Sequence, residues 1–162
     1  MNYLSGKEES EAVEFIRMAT EAALNSTCRR ARCGCVIIKD GEVIGKGFNS
    51  PPFDKETQRR CFASKDSYHK KVTDKTCCVH AEQRAIMDAL RKNPDKIAGS
   101  TLYFSRIDEN GNPFAAEKPY CTICSKMTLD ARIKEFVLLH DKGICVYDTE
   151  EYNDIFYGYN EE

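Results

Sequence analysis

The chain has 162 residues, 41% hydrophobic and 31% charged, with a formal net charge of −2, a balance that fits one globular domain spanning 1–162 and excludes fibrous or disordered classes. No uncharged apolar run approaches the length of a membrane span, and no broad basic footprint marks a long nucleic acid as the main partner. Nine cysteines without a secretory leader point to reduced thiols and metal ligation ahead of a disulfide framework, so the expectation is a cytoplasmic protein with a small-molecule partner and no membrane contact.

After an acidic start at Glu8, Glu9 and Glu11, the residues Ala12, Phe15, Ile16, Ala19 and Ala23 recur at helical spacing and predict an amphipathic helix from about Ser10 to Leu24. Cys33 to Ile38 and Val43 to Phe48 read as two strands joined across Asp40-Gly41, a strong hairpin signal. From Asn49 to Lys75 charge and proline dominate without a period, which predicts a long functional loop with at most a short helical turn.

Ala81, Ala85, Ile86, Ala89 and Leu90 then repeat at helical spacing until Asn93-Pro94, placing His80 and Glu82 in the first turn of a second helix. Thr101 to Phe104 predicts a strand, Ile123, Met127 and Ala131 the buried face of a third helix, and Phe136 to Leu139 another strand. Strand, helix, strand in this order implies a parallel crossover. Together with the hairpin it predicts a three-layer α/β/α sandwich around a mixed sheet of about five strands. Cys35 and Cys145 read as core residues, and the tyrosine-rich end from Tyr147 to Glu162 as a final helix or tail.

The chemistry concentrates in His80-Ala81-Glu82 and, 41 residues after the histidine, the pair Cys121 and Cys124. One imidazole and two thiolates make three zinc ligands, and a fourth tetrahedral position left to water distinguishes a catalytic zinc from a closed structural one. Glu82, two residues from a ligand, is placed to move that water's protons. The alternative is a structural zinc completed by Cys77 or Cys78. Both cysteines open a helix, where backbone N–H groups favour the thiolate that zinc requires.

With these motifs the chain resembles the cytidine and deoxycytidylate deaminase superfamily, and most of all its deoxycytidylate deaminases. The resemblance implies the cytidine deaminase-like fold, one catalytic Zn2+ on His80, Cys121 and Cys124, and Glu82 as a non-ligand that carries protons from water to N3 of cytosine and then to the departing amine. Cys28-Arg29-Arg30-Ala31-Arg32-Cys33-Gly34 extends the likeness towards the amino terminus, with Arg30 as the candidate phosphate contact. Gly47-Phe48-Asn49-Ser50-Pro51 is similar to a segment whose asparagine binds the sugar, a role implied for Asn49, and Ala81 is counted with the substrate contacts.

Cys61, His69, Cys77 and Cys78 carry zinc-type side chains and suggest a second, structural zinc. Phe48, Tyr120 and the carboxyl-terminal tyrosines are candidates for stacking on a base.

Three departures from the family pattern stand out. Tyr120 separates Pro119 from Cys121, the polar loop from Ile107 to Lys118 is long, and Arg84 stands where many relatives have asparagine. Solvent, a phosphate and a subunit contact are all open destinations for that arginine. The implied activity is deamination of a cytosine nucleotide or nucleoside by a homo-oligomer. The competing readings are a deaminase acting on a base in RNA or single-stranded DNA, and a non-enzymatic zinc-stabilised module.

Overall fold

A computed structural model describes residues 1–117 and 121–158. Strand β1 (Asn2–Tyr3) precedes helix α1 (Gly6–Ala23), and the hairpin follows as β2 (Arg32–Lys39) and β3 (Glu42–Phe48). Three single 3-10 turns punctuate the long loop before helix α2 (Ala81–Lys92). Then come β4 (Thr101–Ile107), β5 (Pro113–Phe114), α3 (Thr122–Asp130), β6 (Glu135–His140), β7 (Gly143–Asp148) and α4 (Thr149–Ile155). No helix among the described residues is long and apolar enough to cross a membrane.

The sheet runs in the order β1-β7-β6-β4-β2-β3, with β5 paired to β4 outside that path. Among the described residues only β4 and β6 pair in parallel, as a crossover through α3 requires. The count of seven corrects the expected five by two strands of two residues each, β1 and β5, and the other five are the long ones. One of these, β7, is not predicted from the sequence. Its apolar run Ile144-Cys145-Val146-Tyr147 holds good strand formers, but four residues are too few to declare a period.

Strand alternation divides the core between two faces. Val36 and Ile38 pack with Ala19 of α1, and Val137 and Ile144 pack with its Ala12 and Ile16. Their neighbours Cys35, Ile37, Leu102, Phe104, Phe136, Leu138 and Cys145 turn to the opposite face, against Ala81, Ala85 and Ala89 of α2. The result is the expected three-layer α/β/α sandwich.

Two contacts fix where α2 begins. Gly45 and Gly47 on β3 have no room for a side chain, since a Cβ there would stand 2.4 Å from the Ala85 carbonyl oxygen and 2.3 Å from that of Ala81. Helix α2 therefore lies directly on strand backbone, and a residue added at either glycine would lift its first turn. Its side chains also seal the outer edge of β3, where Asp88 accepts from Lys46 N–H at 3.0 Å and Asn93 Nδ2 donates to the Ile44 carbonyl at 2.8 Å.

Helix α3 departs from expectation. Its buried residues are Cys124, Ser125 and Thr128, while Ile123 is 37% exposed and Met127 and Ala131 are only partly buried. Small polar side chains tolerate that burial because the helix itself satisfies them. Thr128 Oγ1 donates to the Cys124 carbonyl at 2.7 Å, and Ser125 Oγ to that of Thr122 at 3.1 Å. Within the long loop from Ile107, Pro113 and Phe114 pair back on β4 and Ala116 N–H bonds the Leu139 carbonyl at 2.7 Å. Lys118, Pro119 and Tyr120 lie outside the described residues, as does the chain from Tyr159.

Candidate metal centre and adjoining cavity

His80 occupies the N-cap of α2 with extended backbone, one position before the first turn expected for it. Gln83 Oε1 accepts from its N–H at 2.9 Å, fixing the residue in place. Cys121 is the N-cap of α3, and its sulfur accepts from Cys124 N–H at 3.4 Å. The two helix starts face each other. His80 Nδ1 stands 3.3 Å from Cys124 Sγ, and one ligand atom from each of His80, Cys121 and Cys124 lies within 4.8 Å of the others.

Charge within this trio follows from its hydrogen bonds. The Cys124 thiol and then His80, opposed by burial, bring the Cys121 thiol down to about 4, while Cys124 is pushed well up as the proton-bearing partner of that thiolate. His80 is lifted to about 9, chiefly by Cys121. A proton between two sulfurs thus stands where a cation belongs. Tetrahedral zinc, with bonds of about 2.0–2.3 Å to nitrogen and sulfur, needs donors of this type at this mutual spacing, so the residues present fit the metal.

A further pair holds the imidazole. Thr76 Oγ1 donates to Asp74 Oδ1 at 2.6 Å, so its oxygen is left to accept from His80 Nε2, 3.4 Å away. That arrangement would keep a ring proton on Nε2 when a metal replaces the one on Nδ1, as ligating histidines require. Neither residue is a candidate from sequence, although Asp-x-Thr four residues before a ligand histidine is a signal that could be sought.

Glu82 is 7% exposed, and burial raises its carboxyl above the ordinary carboxylate range. It lines a cavity of about 210 Å³ together with His80, Ala81, Asn49, Arg30, Cys33 and Phe104. Arg30, Asn49 and Ala81 therefore meet in one place, but the polar atoms of the first two are largely committed. Asn49 Oδ1 accepts from Cys33 N–H and Ser26 Oγ at 2.8 and 2.6 Å, and its Nδ2 donates to the Ala31 carbonyl at 2.8 Å. Arg30 donates Nε to the Cys61 carbonyl at 3.0 Å and Nη2 to that of Ala63 at 3.4 Å.

Arg84 now has a destination. It donates to the carbonyls of Ser50 and Pro51 at 3.3 and 2.9 Å and lies 5.4 Å from the Phe48 ring centroid, so it clamps the segment that carries Asn49 to α2. Phe48 is thereby used as packing, and Tyr147 and Tyr152 are buried in the core. Neither these nor Phe48 line the cavity. Phe104 is the aromatic that does, and Arg106 joins it from the same face of β4. Both belong to a strand end whose facing only the pairing register reveals.

The second cluster has a different membership from the one expected. Sulfurs of Cys28, Cys61 and Cys78 lie within 4.8 Å of one another, and Cys77 Sγ is 3.3 Å from Cys61 and 3.8 Å from Cys78. His69 is not part of it; the ring accepts from Lys71 N–H at 3.1 Å in an exposed turn. Cys28 takes its place across 33 residues of sequence. The Cys78 thiol donating to it brings the Cys28 thiol down to about 5.

Comparison with known proteins bears on the family and the fold. The family model described as the cytidine and deoxycytidylate deaminase zinc-binding region matches residues 9–140. The chain is 29% identical over 130 residues to deoxycytidylate deaminase of Saccharomyces cerevisiae, a match covering 76% of this chain but 35% of that protein. It therefore spans about a third of that relative's length. With deoxycytidylate deaminase of Mycobacterium phage D29 it shares 32% identity over 98 residues, 57% of this chain and 74% of the relative. The crystal structure of dCMP deaminase from cyanophage S-TIM5 in complex with dCMP and dUMP superposes with a TM-score of 0.55 at 24% identity, covering 82% of each chain, a likeness of fold.

Proposed function

The chain belongs to the cytidine and deoxycytidylate deaminase zinc-binding family, and from that premise we propose that it is a hydrolytic deaminase converting a cytosine nucleotide, with deoxycytidylate as the first candidate, to the uracil product and ammonia. The observation that carries this reading is the buried Glu82 carboxylate beside the trio His80, Cys121 and Cys124, opening on a cavity that the same helix start helps to line. The curated relatives named above are deoxycytidylate deaminases, which supports the same substrate class.

In this reading His80 Nδ1 and the sulfurs of Cys121 and Cys124 hold Zn2+, which when bound supplies a Lewis acid that acidifies a water molecule at its open position. Glu82 would accept one proton of that water as its oxygen bonds to C4 and deliver it to ring N3; it would then carry the proton of the new C4 hydroxyl to the exocyclic amine, so that the C4–N bond breaks, ammonia leaves and C4 keeps the oxygen as a carbonyl. Burial suits the carboxyl to this double duty, because raising its pKa makes the protonated form a more accessible donor than an exposed carboxyl would be. Phe104 offers the base an apolar face, and Arg84 and Asn49 shape the segment beneath the sugar. We read Cys28, Cys61, Cys77 and Cys78 as the holders of a second, structural zinc, and the chain as one domain. Exposed Val43, Met87 and Leu90 on β3 and α2 support a subunit contact in a homo-oligomer, which light scattering after size exclusion tests.

The deciding experiment incubates zinc-loaded protein with cytosine and adenine nucleosides and nucleotides, with transfer RNA and with single-stranded DNA, and measures ammonia. Release from a free cytosine nucleotide is expected. Release only from the polymers identifies a polynucleotide deaminase, and none from any of them identifies a non-enzymatic module.

A further inference from the structure

Resting on the reading of the cavity as a cytosine nucleotide deaminase site, we propose that Arg106, held against the ring of Phe114, grips the 5'-phosphate and so sets the preference for a nucleotide over a nucleoside. The long loop from Ile107 to Lys118, a departure from the family pattern, then has a function: it brings that ring to the arginine.

The loop turns back as a hairpin. Asp108 N–H donates to the Asn112 carbonyl at 2.9 Å, and the Asp108 carboxylate accepts from Asn112 N–H at 2.8 Å. This closes the turn and places Phe114 of β5 directly opposite Arg106 of β4. Opposite residues of an antiparallel pair share a face of the sheet, and the guanidinium carbon lies 4.9 Å from the ring centroid. Across the other edge of β4, Arg106 is opposite Cys33 of β2, so it stands on a strand paired on both sides. Stacking engages the flat face of a guanidinium, whereas phosphate oxygens are bound in pairs by its N–H edge, so one arginine can make both contacts.

Four other cations among the described residues line the cavity, namely Arg30, Arg60, Lys65 and Lys75. All four come from loop stretches, and Arg30, Arg60 and Lys65 are exposed. Arg30 spends Nε and Nη2 on the carbonyls of Cys61 and Ala63, and Arg60 spends Nη1 on that of Gln58. Exposed charges of this kind raise the local potential and draw an anion in, but solvent screens them and their stems leave them poor at fixing it in one place. Arg106 is half-buried on the sheet, and a site carried by a strand is held more tightly than one carried by a loop.

Position then selects the phosphate. Arg106 and Phe104 lie on the same face of β4 and both line the cavity with Glu82. Two residues along a strand advance by about 6.6 Å, a step comparable with the sugar that separates a pyrimidine from its 5'-phosphate. With the base against Phe104 and its C4 at Glu82, the group one sugar further out meets Arg106. A nucleoside has nothing to offer there, and a monophosphate offers the paired oxygens that one guanidinium fork binds by charge-assisted hydrogen bonds.

The test separates binding from turnover. Calorimetry on zinc-loaded Glu82→Gln protein, with and without Arg106→Gln, compares dCMP with deoxycytidine. Losing the guanidinium should lower the dCMP to deoxycytidine affinity ratio by about 10–100-fold. With Glu82 intact, Arg106→Gln should raise KM for dCMP while kcat changes far less. Arg106→Lys keeps the charge without the fork, so it should recover only part of the ratio. Phe114 is 38% exposed, so Phe114→Leu should fold and should lower the ratio by about 2–5-fold through the lost stacking. Where Arg106→Gln does not fold, the Lys and Leu variants decide the matter in the same way. An unchanged ratio in these variants overturns the proposal, and so does an equal loss for both ligands, which would mark Arg106 as structural. Failure of the deaminase reading looks different: the dCMP preference then still depends on Arg106, while the unsubstituted protein releases no ammonia from any cytosine compound.

Discussion

His80, Cys121 and Cys124 sit at the starts of two helices of the sandwich, with the buried carboxylate of Glu82 two residues from the histidine. Cys28, Cys61, Cys77 and Cys78 come from loops, and the Cys61 sulfur accepts from a cation, Arg59 Nη1, at 3.5 Å. The donor atoms are of the same kind, yet the supports and neighbours differ. Three ligands on packed helix starts with a carboxylate alongside leave a coordination position in which chemistry can happen. Four thiols on loops, with no carboxylate among the partners described, make a closed set suited to ordering the chain around it. Breaking either cluster should therefore have opposite signatures, and the predictions follow from the largest effect to the smallest.

Cys121→Ser removes a thiolate from the helix-borne trio. The expected outcome is loss of one zinc per chain and of all measurable deamination, read by metal analysis and ammonia release on the same sample. Glu82→Gln sharpens the contrast inside the same site, because it removes the proton carrier and no ligand. It should keep the full zinc content and lower kcat by about 10²–10⁴, the range for a general acid–base group. Turnover within a few-fold of the unsubstituted protein would remove Glu82 from the mechanism.

That the helix-borne trio is legible in the sequence while the loop cluster is only half legible has a physical cause. His80 and Glu82 are two residues apart and Cys121 and Cys124 three apart, and each pair opens a helix with its own start signals, so local spacing and local structure agree. The hairpin and the strand-helix-strand crossover follow from the same local patterns. Cys28 joins Cys61 and Cys78 through the packing of two loops, and nothing in the spacing of the thiols announces it. His69 has the right chemistry in the right stretch, yet it sits in an exposed turn with Nδ1 taken by Lys71 N–H, outside the group of sulfurs.

Likewise Phe104 and Arg106 read only as strand residues until register with β2 places Arg106 opposite Cys33 at the end of the sheet that holds the site. Ile123 misleads for the complementary reason. Apolar periodicity marks a buried face only where hydrophobic contacts decide the helix orientation, and α3 is oriented by Cys121 and Cys124 with polar residues beneath them.

Thr76→Val tests whether the two clusters are independent, since one short segment serves both: Thr76 orients His80, and Cys77 and Cys78 belong to the loop cluster. Valine keeps the shape and removes the oxygen that receives His80 Nε2–H. Zinc affinity at the helix-borne trio should fall by about 10–100-fold, as for other partners of ligating histidines, with the loop cluster's metal retained. Competition against a graded series of chelators reads the two affinities separately. Equal loss at both clusters would show that the segment moves as a unit and that the hydroxyl has no separate role.

Cys61→Ser is the smallest perturbation of activity and the most informative about the loops. Serine is nearly isosteric with cysteine but a poor zinc ligand, so the zinc content should drop from two per chain to one while Glu82 and its trio still turn substrate over. The cost appears in stability and in binding. Because a metal bound only in the folded state contributes its binding free energy to folding, thermal unfolding should shift down by at least about 5 °C. The Cys61 carbonyl that receives Arg30 Nε moves with the loop, so KM should rise while kcat changes little. A content near one zinc per chain before substitution, with an unmoved melting temperature after it, would make the four thiols a reduced packing cluster. The difference between the two sulfur sites would then lie in whether metal is held at all, and only the helix-borne trio would count as a metal centre.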